Sequence, residues 1–181
     1  MNAKQSLVLI PMLAMLVQAA CTPAADACPT PALDTELLTD TEDGYCLLYP
    51  TKYSTEVPHY IVINPVSAPG DQPGDAWVSI ETEPAAGRTA AQVADAQISS
   101  AGSGFNITRS EATVDGEQAE VVDGLPGPDP WRKVFIVHDD RLYTLTFLPW
   151  QPAAEGAGQQ PSLENLYEII MQSFHFLPTE S

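Results

Sequence analysis

The sequence predicts an α+β domain in which an antiparallel sheet is sandwiched between helices. Short runs rich in β-branched and aromatic residues, each bounded by proline or glycine, are typical of strands. Two pairs of such runs are joined by the two-residue turns Asp115-Gly116 and Asp139-Asp140, which indicates antiparallel hairpins. The second hairpin is apolar on both faces, and a sheet with one face in water would not tolerate that pattern. We therefore expect this hairpin at the centre of the sheet, with both sides covered.

The strand predictions follow from these runs in chain order. Three short strands come first, then the two hairpins, and finally a short closing strand or extended tail. The predicted strands are 45–49, 60–64, 77–83, 107–114, 117–123, 131–138 and 141–148, with the closing segment at 174–177.

Two helices are predicted between and after the strands. The stretch Thr89-Ala90-Ala91-Gln92 has the capping-box pattern, and it begins a helix that runs to about residue 100 and ends before Gly102. Ser162 is expected to cap the second helix, in which apolar residues recur at helical spacing from Leu163 to Phe174.

The central hairpin assigns its side chains to two faces of the sheet by alternation. One face is wholly apolar, whereas the other mixes apolar residues with Lys133, Thr144 and Thr146. The first face holds Val134, Ile136, Tyr143, Leu145 and Phe147, and the second holds Trp131, Phe135, Val137, Leu142 and Leu148.

The N-terminus is typical of a secretory signal peptide. Lys4 precedes an apolar run at 7–17, which is too short to cross a bilayer core of about 20 residues, and small residues follow it. Val17-Gln18-Ala19-Ala20-Cys21 resembles the lipobox of bacterial lipoproteins, in which the cysteine becomes N-terminal and carries lipid. The resemblance implies cleavage before Cys21 and stable anchoring through its acyl chains. Plain secretion and a buried N-terminal helix are the alternatives.

We expect four segments along the chain: a signal peptide at 1–20, a lipidated cysteine with an acidic tether at 21–43, a folded domain at 44–177 and a tail at 178–181. The tether is rich in alanine, proline, threonine and acids, a composition that buries little surface. With Cys21 lipidated, Cys28 and Cys46 remain, and in an oxidising compartment they predict a disulfide. Two free thiols are the alternative.

The charge excludes one class of partner. The chain has 24 acids and 7 bases, so removing Lys4 with the signal peptide leaves 6 − 24 = −18. Such a surface repels nucleic acid and anionic lipid, so membrane attachment must come from acyl chains. The expected location is outside the cytoplasm, with the lipid anchor on the outer side of the cytoplasmic membrane, and anchoring in an outer membrane is the alternative.

Several motifs, in order along the chain, resemble the PsbP-like family, which is named after an extrinsic subunit of photosystem II. The resemblance covers 44–177 and implies an antiparallel sheet between helices. It also implies a non-catalytic binding or assembly-support role without a cofactor. The matching segments are Gly44-Tyr45-Cys46-Leu47-Leu48-Tyr49-Pro50, Val114-Asp115-Gly116, Tyr143-Thr144-Leu145-Thr146-Phe147, and a final helix that ends in Ser173-Phe174-His175-Phe176.

One group of residues suggests a binding surface. Trp131, Arg132 and Trp150 converge at the open end of the central hairpin, beside proline-rich loops, and we name this group the tryptophan patch. Tryptophan and arginine dominate binding hot spots, so the patch is a hypothetical site for a peptide, a glycan or a cell-envelope protein. The alternative is that these rings cap the core beneath a proline loop.

Catalytic and metal sites are not predicted. No G-x-S-x-G elbow is present, and the three histidines, His59, His138 and His175, lack metal-ligand spacing. A cell-envelope hydrolase and a divalent-cation-responsive module, the latter suggested only by the charge, stay as alternative functions.

Overall fold

The computed structural model describes residues 28–57, 60–63, 77–127, 130–150 and 160–178. These residues form ten strands and two helices, an α+β fold with antiparallel sheets. The elements are β1 Thr35–Asp40, β2 Tyr45–Pro50, β3 Tyr53–Val57, β4 Tyr60–Ile63, β5 Trp77–Pro84, α1 Ala90–Ala101, β6 Thr108–Val114, β7 Glu117–Leu125, β8 Trp131–His138, β9 Arg141–Leu148, α2 Gln160–Ser173 and β10 His175–Phe176.

The larger sheet has seven strands in the order β3-β4-β5-β9-β8-β7-β6, and each neighbouring pair is antiparallel. The hairpin β8–β9 lies near the middle, as the apolar character of both its faces predicts. Its turn and that of β6–β7 have positive φ at both central residues, which is the type I′ geometry that suits strand twist. The predicted central hairpin is therefore confirmed.

Each face of the larger sheet is covered by different elements. α1 packs on β7 and β8, and on the opposite side lie α2 and a three-stranded sheet in the order β1-β2-β10. The predicted division of the hairpin is confirmed, because the wholly apolar face joins the core beneath α2 and Phe135 and Leu142 join the core beneath α1. The molecule thus has three layers and two cores.

The domain begins earlier than predicted. Residues 35–40, which we assigned to the tether, form β1 and pair with β2 along its whole length. Leu38 and Asp40 are buried, and the Asp40 carboxylate accepts hydrogen bonds from the backbone N–H groups of Glu42 and Asp43. The boundary at Gly44 is therefore wrong. β1 buries little apolar surface and is held mainly by backbone pairing, which composition does not reveal.

Cys28 and Cys46 lie at disulfide-bonding distance, and their Cα atoms are 5.8 Å apart. This is the expected pairing. Cys46 is fully buried in β2, so residues just before β1 are attached to the smaller sheet. Cys21 and the rest of the predicted signal peptide lie outside the described residues.

Both predicted helices are present, but only the first begins at its predicted cap. The capping box of α1 is present, since the Thr89 hydroxyl accepts from the Gln92 N–H and the Gln92 side chain accepts from the Thr89 N–H. α2 begins at Gln160, so Ser162 lies in its first turn and the predicted cap is wrong. No helix in the described parts of the chain is both long and apolar enough to span a bilayer.

Candidate functional site

The tryptophan patch does not form as one surface. Successive residues of β8 point to opposite faces of the sheet, so Arg132 and Trp131 are separated by the sheet itself. Arg132 meets Trp150 on the α2 side, with its guanidinium carbon 3.7 Å from the indole centroid. Trp150 is only 4% exposed and packs against Phe147 and Tyr167. The predicted patch is therefore corrected, and its core-capping alternative describes Trp150.

Arg132 is fully engaged within the protein. Its Nε and one terminal nitrogen donate to the two Asp123 carboxylate oxygens at 2.8 and 2.7 Å, and both side chains are 19% exposed. The guanidinium also lies 4.7 Å from the ring centroid of Tyr167. A bidentate, stacked arginine of this kind ties β7, β8 and α2 together, so Arg132 has a structural role.

A different group of residues, on the α1 side of the sheet, was missed at the sequence level. Three adjacent strands place polar residues in register: Ser79 on β5 faces Thr146 on β9, which faces Lys133 on β8. In the next row Glu81 faces Thr144. Ser79 and Thr146 are buried, although central strands normally carry apolar residues there. The mixed face of the hairpin, with Lys133, Thr144 and Thr146, was the signal in the sequence.

These strands and α1 line an open cavity of about 230 Å³, which we name the α1 cavity. Its apolar floor consists of buried side chains from α1, β8 and β9, and charged and polar groups stand around it. The apolar lining is Val93, Phe135 and Leu142, and the polar lining is Glu81, Thr82, Glu83, Arg88, Gln97, Lys133 and Thr144.

Some of the charged side chains that line the α1 cavity form ion pairs with each other, and Lys133 does not. Arg88 pairs with Glu83 at 2.9 Å and also donates to the Ala85 carbonyl oxygen, so this pair neutralises itself at the surface. Lys133 is half-buried, and among the described residues no carboxylate lies within ion-pair distance of its ammonium group. The ammonium nitrogen lies 5.0 Å from the ring centroid of Trp131.

Burial lowers the pKa of Lys133, and the nearby charge of Glu81 opposes this shift. The direction follows because removing an ammonium group from water disfavours its charged form. Lys133 is therefore a cation that the described protein groups hold in the cavity wall without a carboxylate in ion-pair contact. An anionic group bound in the cavity would supply that partner.

The two described histidines, His138 and His175, are not among the residues that line the cavity. His138 contacts Glu117 at 2.9 Å, His175 contacts Asp115 at 2.8 Å, and His59 lies outside the described residues. Within the described ranges, no group of three or more histidine, cysteine or acidic side chains is arranged to hold a metal ion.

Comparisons with known proteins show similarity to solved structures alone. No protein-family model matches the sequence, and no curated protein matches it. The solution structure of cyanobacterial PsbP (CyanoP) from Synechocystis sp. PCC 6803 is similar to the chain, with a TM-score of 0.44 and 17% sequence identity. The match covers 83% of this chain and 97% of that chain.

Proposed function

We propose that the chain is a lipid-anchored, extracytoplasmic and non-catalytic binding domain, and that the α1 cavity is its ligand site. The observation that carries this proposal is Lys133, a half-buried cation with no carboxylate partner among the described residues. Unpaired charges removed from water cost stability, and such groups are concentrated at functional sites. The cavity keeps its cation available for a ligand.

The cavity favours binding over catalysis. Its described lining offers Thr144, a glutamine and opposite charges, which can hold a ligand through hydrogen bonds and ion pairs, whereas the hydroxyl of Thr82 already donates to Asp43. None of these lining residues is a serine, cysteine or histidine that could serve as nucleophile or as an imidazole base. We therefore prefer a binding domain to the cell-envelope hydrolase.

The proposed address is supported by the N-terminal sequence and by the disulfide. A Cys28–Cys46 bond suits an oxidising compartment outside the cytoplasm. Only six residues lie between Cys21 and Cys28, and the seven Cα-to-Cα steps of a fully extended chain span at most about 25 Å. A lipid on Cys21 would keep the domain close to the bilayer, and this replaces the long tether predicted from composition.

Intact-mass spectrometry of the protein made in a bacterial host tests the proposed lipid anchor. We expect a chain that begins at Cys21 and carries acyl groups, whereas the Cys21→Ser variant carries none. A wild-type chain that retains residues 1–20, or that lacks fatty acid on Cys21, would overturn the proposed anchor.

Titration calorimetry with isovalerate, a small branched carboxylate, tests the binding site. We expect isovalerate to bind the mature wild-type protein and to lose its binding in Lys133→Met, which keeps the length of the side chain. Lys52→Met is the matched control, because Lys52 is exposed and lies outside the cavity. Absence of binding to the wild type, or equal binding by Lys133→Met, would overturn the proposed site.

A further inference from the structure

The α1 cavity limits the size of its ligand. Its volume of about 230 Å³ corresponds to about seven or eight water molecules at ~30 Å³ each. Sites for drug-sized molecules begin at about 300 Å³, so the cavity suits a smaller molecule. A metabolite with few non-hydrogen atoms fits this volume.

The charges of the cavity come from its two sides. Lys133 lies on β8 and Glu81 on β5, and β9 runs between these strands. Two strand spacings separate β5 from β8, which is about 10 Å. With Arg88 and Glu83 paired to each other, one positive and one negative group are left to meet a ligand. A molecule with both charges matches this arrangement better than a simple anion.

The uncharged residues that line the cavity indicate which other groups the ligand carries. Thr144, which pairs with Glu81 across β5 and β9, and Gln97 on α1 can exchange hydrogen bonds with a polar head group. The buried floor of Val93, Phe135 and Leu142 suits a short aliphatic group and no further charge. The net charge of −17 also disfavours ligands that carry several negative charges.

We propose that the α1 cavity binds a small free α-amino acid as its zwitterion, with the carboxylate at Lys133, the ammonium group at Glu81 and an aliphatic side chain on the floor. This inference rests on the binding role proposed above. It adds the chemical class of the ligand and a role for Glu81 that a site for carboxylates alone does not require.

Three probes of similar shape test the contribution of each charged group of the ligand to its binding. L-valine carries both groups, isovalerate lacks the ammonium group, and isobutylamine lacks the carboxylate. In calorimetry with the mature protein, we expect L-valine to bind at least about tenfold more tightly than either single-charge analogue, since each charged contact contributes roughly this factor or more.

Two variants assign the contacts. Glu81→Gln should reduce L-valine affinity by about tenfold and should not weaken isovalerate, because the ammonium contact is lost and the carboxylate contact at Lys133 is kept. Lys133→Met should weaken both carboxylate probes. Glu81 is exposed, so its amide variant preserves the fold and carries the test even if Lys133→Met is poorly folded.

The outcomes distinguish the two proposals. Tighter binding of L-valine that depends on Glu81 supports the zwitterion site. If isovalerate binds through Lys133 and L-valine binds no more tightly, the ligand class is wrong and the binding role stands. If none of the three probes binds, both proposals are wrong.

Discussion

Arg132 and Lys133 are neighbours on β8, yet they face two very different environments. Arg132 points to the α2 side, where Asp123 pairs with its guanidinium group and two aromatic rings lie against it. Lys133 points to the α1 side, where it lines the α1 cavity beside Trp131 and no described carboxylate pairs with it. A cation that is paired with a carboxylate stabilises the fold, whereas a cation without a carboxylate partner is available to bind a ligand. The difference separates the structural face of the sheet from the proposed functional face.

The largest change in stability is expected from a substitution on the structural face. Arg132→Met leaves Asp123 partly buried without its partner, and breaking such a pair destabilises a protein by about 3 kcal/mol. Urea denaturation measures the change. The double variant with Asp123→Leu should recover part of the loss, and a loss below about 1 kcal/mol in the single variant would contradict the structural role.

Gly127→Ala tests how Trp131 is fixed beside Lys133. A Cβ atom at Gly127 would lie 2.6 Å from Cε2 and 2.7 Å from Nε1 of the indole, so the ring must move. Overpacking of this kind costs about 2 kcal/mol. Thermal unfolding should show the loss, and adding Trp131→Leu should relieve part of it. A Gly127→Ala variant as stable as the wild type would show that the indole does not pack on this glycine.

On the proposed functional face we expect the substitution to stabilise the ligand-free protein instead of destabilising it. Lys133→Met removes an unpaired, half-buried charge and fills similar volume, so the ligand-free protein should gain about 0.5 to 1 kcal/mol of unfolding free energy. Lys52→Met, at an exposed position, should stay within about 0.5 kcal/mol of the wild type. A clear loss of stability in Lys133→Met would assign a structural role to the lysine and remove the contrast with Arg132.

A smaller effect is expected from pH. Burial lowers the pKa of Lys133, so above neutral pH the folded state releases this proton before the unfolded state does. The unfolded state then binds more protons, and the wild type recovers stability relative to Lys133→Met as pH rises towards 10.5, the ordinary lysine value. Denaturation curves of both proteins across this range should therefore converge.

The buried tyrosines do not disturb this comparison. Burial raises the pKa of Tyr53 to about 12 and also raises that of Tyr45, so the stability they contribute falls as pH rises above their unfolded value of 10.0. Both proteins carry these residues, so the effect cancels in the difference. A stability gap that stays constant up to pH 10.5 would show that Lys133 titrates as an ordinary surface lysine.

The sequence predicts the part of the fold that depends on local alternation. The two hairpins and both faces of β8–β9 follow from a period of two and from the turn residues, and the α1 cap follows from Thr89 and Gln92. β1 was missed because an edge strand can be held by backbone pairing with a single core leucine, Leu38.

The candidate site depends on contacts that local patterns do not contain. The α1 cavity requires β5 to pair with β9, some 60 residues away along the chain, and α1 to lie over β8. The tryptophan patch failed for a simpler reason, since Trp131 and Arg132 are adjacent in a strand and must point to opposite faces. The polar residues inside the most apolar hairpin were the one available signal for the site.

The most direct measurement is nitrogen-15 NMR of the lysine ammonium groups during titration with isovalerate. After the proposed cleavage only Lys52 and Lys133 remain, and the two methionine variants assign their signals. We predict a saturable shift of the Lys133 signal while that of Lys52 stays in place. A Lys133 signal that does not move, or that moves in parallel with Lys52, would contradict the claim that this cation is kept for a ligand.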